Sequence, residues 1–133
     1  MGRLHELEPA ECRELLGGRQ VGRLAFSTPA GPRVYPVNYV LRDDDLVFRT
    51  LPYGEVAGNV VDAQVAFSVD DLDDGMRTGW HVLAVGTCRR VDDPAEVRVI
   101  REESPPAPWV DGQRTLYFRL AWDELTGRRV QPD

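Results

Sequence analysis

The chain has 133 residues and a formal net charge of −6, with a sequence pI near 4.9. That length suits one domain with a real core and is too short for two, and the acidity argues against nucleic acid or an anionic membrane as the main partner. All 16 basic residues are Arg, which excludes Schiff-base chemistry and any Lys phosphate clamp. In chain order, His5 falls in an N-terminus expected to be mobile and inert. Glu8-Pro9-Ala10-Glu11 opens a helix, with Pro early and acids in the first turn, and Gly17-Gly18 stops it. Residues 21–28 alternate as a strand, Pro29-Ala30-Gly31-Pro32 turns the chain, and a strand over 33–41 returns. An acidic turn, Asp43-Asp44-Asp45, leads to a strand over 46–50. Tyr53 to Val61 reads as a short helix weakened by Gly54 and Gly58. A strand over 64–69 is followed by a solvated acidic loop, 70–75, and a long strand, 78–91. A helix over 94–103 starts after Asp92-Asp93, 104–108 (SPPAP) is a rigid extended link, and 116–122 alternates as the last strand before a tail, 123–133. Six strands with few helices and short turns predict a small, mainly β, six-stranded antiparallel barrel in a single domain, 1–133. A doubly wound fold is excluded, because strands and long helices do not alternate.

The residues that carry chemistry are few. Arg49 and Thr50 end a strand, and a planar guanidinium fork beside a hydroxyl suits a phosphate; a solvated strand end is the plain alternative. Asn38 is either a ligand contact or a sheet amide with a partner. Trp80, Trp109 and Trp122 are by default core or interface anchors, with Trp109 the one that SPPAP would project from the barrel. Arg128-Arg129 is a ligand contact or a surface charge pair. Four carboxylates in 70–75 lack the spacing and closing Glu of an EF-hand. Cys12 and Cys88 show no Cys-x-x-Cys or Cys/His cluster, so a zinc site is not expected and two buried free thiols are. Ser27, Ser68 and Ser104 lack a nucleophile elbow, and no Walker or dinucleotide glycine loop is present. The N-terminus has no apolar h-region, and no apolar stretch approaches a membrane span of about 20 residues. A cytoplasmic protein is the expectation.

PVNY at 36–39, VFRT at 47–50, GWHVLAVGTCRRV at 79–91, Pro108-Trp109 and LTGRRV at 125–130 come in a characteristic order. In that order the chain resembles the pyridoxamine 5'-phosphate oxidase-like flavoproteins, the FMN-binding split β-barrels, and in particular their small actinobacterial branch. The resemblance runs from about Leu15 to Val130. It implies a homodimer with FMN in the groove between subunits and redox chemistry on a small molecule carried by the flavin. It places Pro36, Val37, Asn38 and Tyr39 along the ring, Arg49 and Thr50 on the phosphate, and Trp80, His81 and Trp109 as walls. Trp109 and Arg128 would come from the second subunit. Two residues depart from the pattern. Glu55 and Val56 stand where the family usually has a phosphate-binding Lys, and a carboxylate there would repel the phosphate by roughly 1–3 kcal/mol, unless Arg128 or Arg129 compensates. His81 stands where the branch commonly has a small hydroxyl residue, and could donate to the ring or titrate near neutrality. Pyridoxamine phosphate oxidation itself is not expected, because the basic set for a substrate phosphate is missing. Two other classes stay open: a non-catalytic dimeric binding module that has lost or repurposed the flavin site, and a protein using deazaflavin or haem.

Overall fold

The computed structural model describes residues 2–103 and 116–132. Seven strands and three short helices follow in the order β1 (Arg3–Glu6), α1 (Pro9–Gly17), β2 (Val21–Thr28), β3 (Gly31–Arg42), β4 (Asp45–Thr50), α2 (Glu55–Asn59), β5 (Gln64–Asp73), β6 (Thr78–Arg90), α3 (Pro94–Glu103) and β7 (Leu116–Gln131). The strands join in the order β1-β7-β4-β3-β2-β5-β6, and β6 also pairs β7. That last pairing closes a six-stranded antiparallel ring, so the expected barrel is present. β1 is a seventh strand outside the ring, continuing the edge of β7 beyond β4.

Alternation along each strand builds the core. Leu24 and Phe26 of β2, Val37 and Tyr39 of β3, Leu46 and Phe48 of β4, Val65, Phe67 and Val69 of β5, Val82, Ala84 and Cys88 of β6, and Phe118 and Leu120 of β7 all point inward and are buried. The rings of Phe48 and Phe118 stack at 5.6 Å. Gly22 lies under the Phe67 ring, where a Cβ would stand 2.2 Å from Phe67 Cζ. Helix α1 adds Cys12 and Leu16 to this core, and the buried Tyr39 hydroxyl donates to the Leu16 carbonyl. Both cysteines are free and buried, as expected. Helix α3 begins where Asp93 accepts from the Ala95 N–H and covers part of the barrel's outside. Ile100 and Val97 pack there on Val47, Val40, Val91 and Tyr117 as a second, smaller core.

Four expectations need correction. The N-terminus is a strand: Arg3 to Glu6 pair with Gln131 to Arg128. The acidic run is not a loop, because Asp70 to Asp73 continue β5 against His81 to Thr78. Its carboxylates point out to cations, Asp70 to Arg23 at 3.1 Å and Asp71 to Arg19 at 3.7 Å. The tail does not exist as such, since β7 runs on to Gln131 along β6 after a bulge at Val85/Gly86. A bulge shifts the register by one, which breaks the alternation that marks a continuous strand. The helix read over Tyr53 to Val61 is confined to Glu55–Asn59, preceded by a turn that the Gly54 N–H closes on the Leu51 carbonyl at 3.3 Å.

Candidate functional site

Successive residues of a strand face opposite walls, and this sorts the candidates on β3 and β4. Val37 and Tyr39 are buried in the core, so only their backbone can meet a ligand. Burial also holds the Tyr39 hydroxyl far above the usual tyrosine range, and it stays a neutral donor. Pro36 and Asn38 face outward; Pro36 is exposed and Asn38 half-buried. On β4, Phe48 is inward and Arg49 outward, half-buried and paired in register with Tyr117. Thr50 pairs with Leu116, which packs on the core, so its side chain lies toward the barrel rim. Arg49 and Thr50 therefore do not form a side-chain clamp on one wall. What remains on the outer wall is Pro36, Asn38 and Arg49, beside the patch that α3 covers.

Two polar groups on this wall lack partners. The Asn38 Nδ2 is covered and makes no hydrogen bond. Arg49 has no carboxylate partner among the described residues, a state it shares with Arg3, Arg42, Arg77, Arg98, Arg101 and Arg128, whereas eight other arginines each have one. An orphaned amide donor costs about 1–3 kcal/mol. A half-turn of the amide exchanges its two ends and would offer the donor on the opposite side. A cation and an amide donor at adjoining strand positions, next to the flat face of Pro36, fit an anion joined to a planar ring with acceptor edges.

Glu55 is not the obstacle that its charge suggests. Its Oε1 accepts from Arg33 Nε at 3.1 Å and from the Tyr35 hydroxyl at 2.6 Å. The guanidinium offsets the charge locally, and the hydrogen bond raises the Tyr35 hydroxyl above its ordinary pKa. Val56 is buried in the core. The sequence reading missed this cluster. Its signal was the i, i+2 spacing of Arg33 and Tyr35, which puts both on one face of β3.

The remaining candidates stand elsewhere. Trp80 is half-buried and packs against the main core, so it serves as a core anchor. His81 is exposed on β6, paired in register with Asp70 on one side and Arg128 on the other. Arg128 is exposed and faces Glu6 on β1. β6 is three strand steps from β3 whichever way the ring is followed. Within one chain, His81 is thus on the opposite wall from Asn38, and Arg128, paired with it on β7 two strand steps from β3, is not brought beside Asn38 either. Trp109 lies outside the described residues. A shallow groove of about 330 Å³ opens near the β2–β3 hairpin, lined by Ala25, Ser27, Val34, Ala66 and Val85 among others; it contains neither Asn38 nor Arg49.

Comparison with known proteins adds independent findings. The family model for pyridoxamine 5'-phosphate oxidase matches residues 8–129. An uncharacterized protein of Mycobacterium tuberculosis is 33% identical over 133 residues, covering 96% of this chain and 86% of its own. Among solved structures, the FAD-binding protein of Mycobacterium smegmatis superposes with a TM-score of 0.84 at 26% identity, covering 97% of this chain and 100% of its own. A putative pyridoxamine 5'-phosphate oxidase of Corynebacterium glutamicum has the same TM-score, 0.84, at 22% identity over 98% of this chain and 95% of its own, a likeness of fold alone.

Proposed function

This chain belongs to the pyridoxamine 5'-phosphate oxidase family, and we propose that it binds a flavin nucleotide as a homodimer and serves as an oxidoreductase for a small molecule. The observation that carries the reading is the orphaned Asn38 amide on the same outer wall as Arg49, a cation without a carboxylate partner among the described residues. Arg49 would hold the flavin phosphate, and Asn38 would donate to a polar edge of the ring. Pro36 would lie against its face, and the backbone of Val37 and Tyr39 would line it. When bound, the flavin supplies two-electron redox chemistry. The protein's part is to bind it, orient it and exclude water on one side.

The homodimer is part of the same proposal. A flavin lying on an outer wall is open to solvent on its far side unless something covers it. His81, Arg128 and Trp109 of a partner subunit are candidates for the cover, since the first two do not reach Asn38 within their own chain. Val34 is 60% exposed beside the apolar groove, a surface suited to burial between copies. FMN is the expectation from the resemblance, and the FAD-binding neighbour favours FAD. Both share the ring and the first phosphate that these residues would meet.

The test is the visible absorbance spectrum of the purified protein, with mass analysis of the cofactor released on denaturation. Flavin bands that are present in the wild type and lost in Arg49→Ala support the reading. A colourless protein that does not take up FMN or FAD on titration would sink it and leave the non-catalytic binding module as the better account.

A further inference from the structure

The turn between β4 and α2 displays apolar side chains where a soluble protein has no structural need of them. Leu51 is 57% exposed and Tyr53 is 91% exposed. Pro52 presets its own φ at the second position of this turn, and the Gly54 N–H closes it on the Leu51 carbonyl at 3.3 Å. The turn is therefore held, and the ring at its third position is presented rather than left to wander. Exposed aromatic rings are uncommon without a partner, because Tyr carries a large apolar face along with its hydroxyl.

The place of the turn says what that partner is. Tyr53 follows Arg49 by four residues and Thr50 by three. Four residues of extended chain span at most about 14 Å, and the turn shortens that. The ring thus stands within side-chain reach of whatever is joined to an anion at Arg49. Glu55, two residues further along the chain, does not repel that anion strongly, because Arg33 and Tyr35 hold its carboxylate. We infer that Tyr53 is a stacking platform for a nucleobase joined, through a ribose and a second phosphate, to the phosphate that Arg49 binds, and that the cofactor preferred by this chain is the dinucleotide FAD. The inference rests on the flavin reading above and deepens it. A base stacked on an aromatic ring is bound without regard to its hydrogen-bonding edge, so the site would take the adenine of FAD without further polar residues. FMN has no base and cannot use it.

The experiment is a pair of fluorescence titrations, FMN and FAD, on the full chain as wild type, Tyr53→Ala, Tyr53→Phe and Arg49→Ala, with light scattering on each. Tyr53 makes no core contact, so its variants should fold. The expected result is that the wild type binds FAD more tightly than FMN. Tyr53→Ala should lose roughly tenfold in FAD affinity, the equilibrium counterpart of one base–aromatic stack. It should leave FMN unchanged, while Tyr53→Phe keeps the preference. Arg49→Ala should weaken both ligands. If Arg49→Ala weakens both and Tyr53→Ala neither, the stacking inference falls and the flavin site stands. If Tyr53→Ala weakens both equally and the protein becomes monomeric, Tyr53 is an interface residue and the inference is overturned. If the wild type binds neither flavin, both readings fail together.

Discussion

Tyr39 and Asn38 are neighbours on β3 that face opposite walls of the barrel, and they are treated in opposite ways. Tyr39 is buried, stacks edge-on against Phe67 with ring centroids 4.7 Å apart, and donates its hydroxyl to the Leu16 carbonyl. Asn38 faces out with a covered amide nitrogen that makes no hydrogen bond. The same division runs through β4, where Phe48 stacks on Phe118 inside and Arg49 outside has no counter-charge among the described residues. The inner wall is satisfied group by group, whereas the outer wall carries one covered nitrogen, Asn38 Nδ2, that the described residues leave unmatched. A folded protein tolerates a covered, unsatisfied group only at a cost, so the Asn38 amide is where the proposed ligand would complete the structure.

That contrast can be broken most severely from inside. Phe48→Ala removes a fully buried ring from the stacked pair and should lower stability by about 3–5 kcal/mol, read from the midpoint of urea unfolding. A loss under ~1 kcal/mol would mean that the inner wall is not the source of stability. Arg49→Ala is the counterpart from outside. Flavin affinity should fall by roughly 2–4 kcal/mol, because a charged donor is removed from a bound anion. The urea midpoint of the unliganded protein should move by no more than ~0.5 kcal/mol. A large stability loss in Arg49→Ala would place that guanidinium in the structural framework.

Asn38→Leu sharpens the comparison in both directions at once. Removing an orphaned donor should raise the stability of the unliganded protein by about 1 kcal/mol and weaken flavin binding by about the same amount. Reduced stability would show that Asn38 is satisfied in solution and has no vacancy to offer a ligand.

The smallest effect is one of pH and concerns the inner wall alone. Burial pushes the Cys88 thiol from 9.0 up to about 12 and raises the Tyr39 hydroxyl above its ordinary value of 10.0. Between those folded and unfolded values the folded chain holds protons that the unfolded chain releases. Stability is therefore fully present below about pH 9 and falls as the pH rises toward 12. Between pH 8 and pH 10, Cys88 alone should account for a loss of about 1 kcal/mol, seen as a lower Tm. A Tm that does not fall over that interval would show that Cys88 is open to solvent.

Most of the barrel is legible in the chain because its evidence is local. Leu24 and Phe26, or Val82 and Ala84, fall two apart, and a strand with one wall buried needs that period. Where a strand is set by its neighbour, the local signal fails. Asp70 to Asp73 look like a solvated loop, yet they form strand because β6 offers a ladder and Arg19 and Arg23 sit opposite. Asp123 to Gln131 look like a tail because the bulge breaks the period, and only the pairing with β6 shows the strand.

By itself the sequence determined the antiparallel barrel, the helix over Pro94–Glu103 and the motif order that leads to the family. It also pointed to Asn38 and Arg49 as chemistry-bearing residues. The tertiary structure alone decided that Tyr39 and Val37 belong to the core, that Thr50 does not share a wall with Arg49, and that His81 stands across the ring. It alone matched Glu55 with Arg33 and Tyr35 and left the Asn38 amide without a partner. Periodicity says which residues share a face, because it is a property of the backbone. Which polar group finds a partner depends on strands far apart in the chain, and closure of the ring settles it.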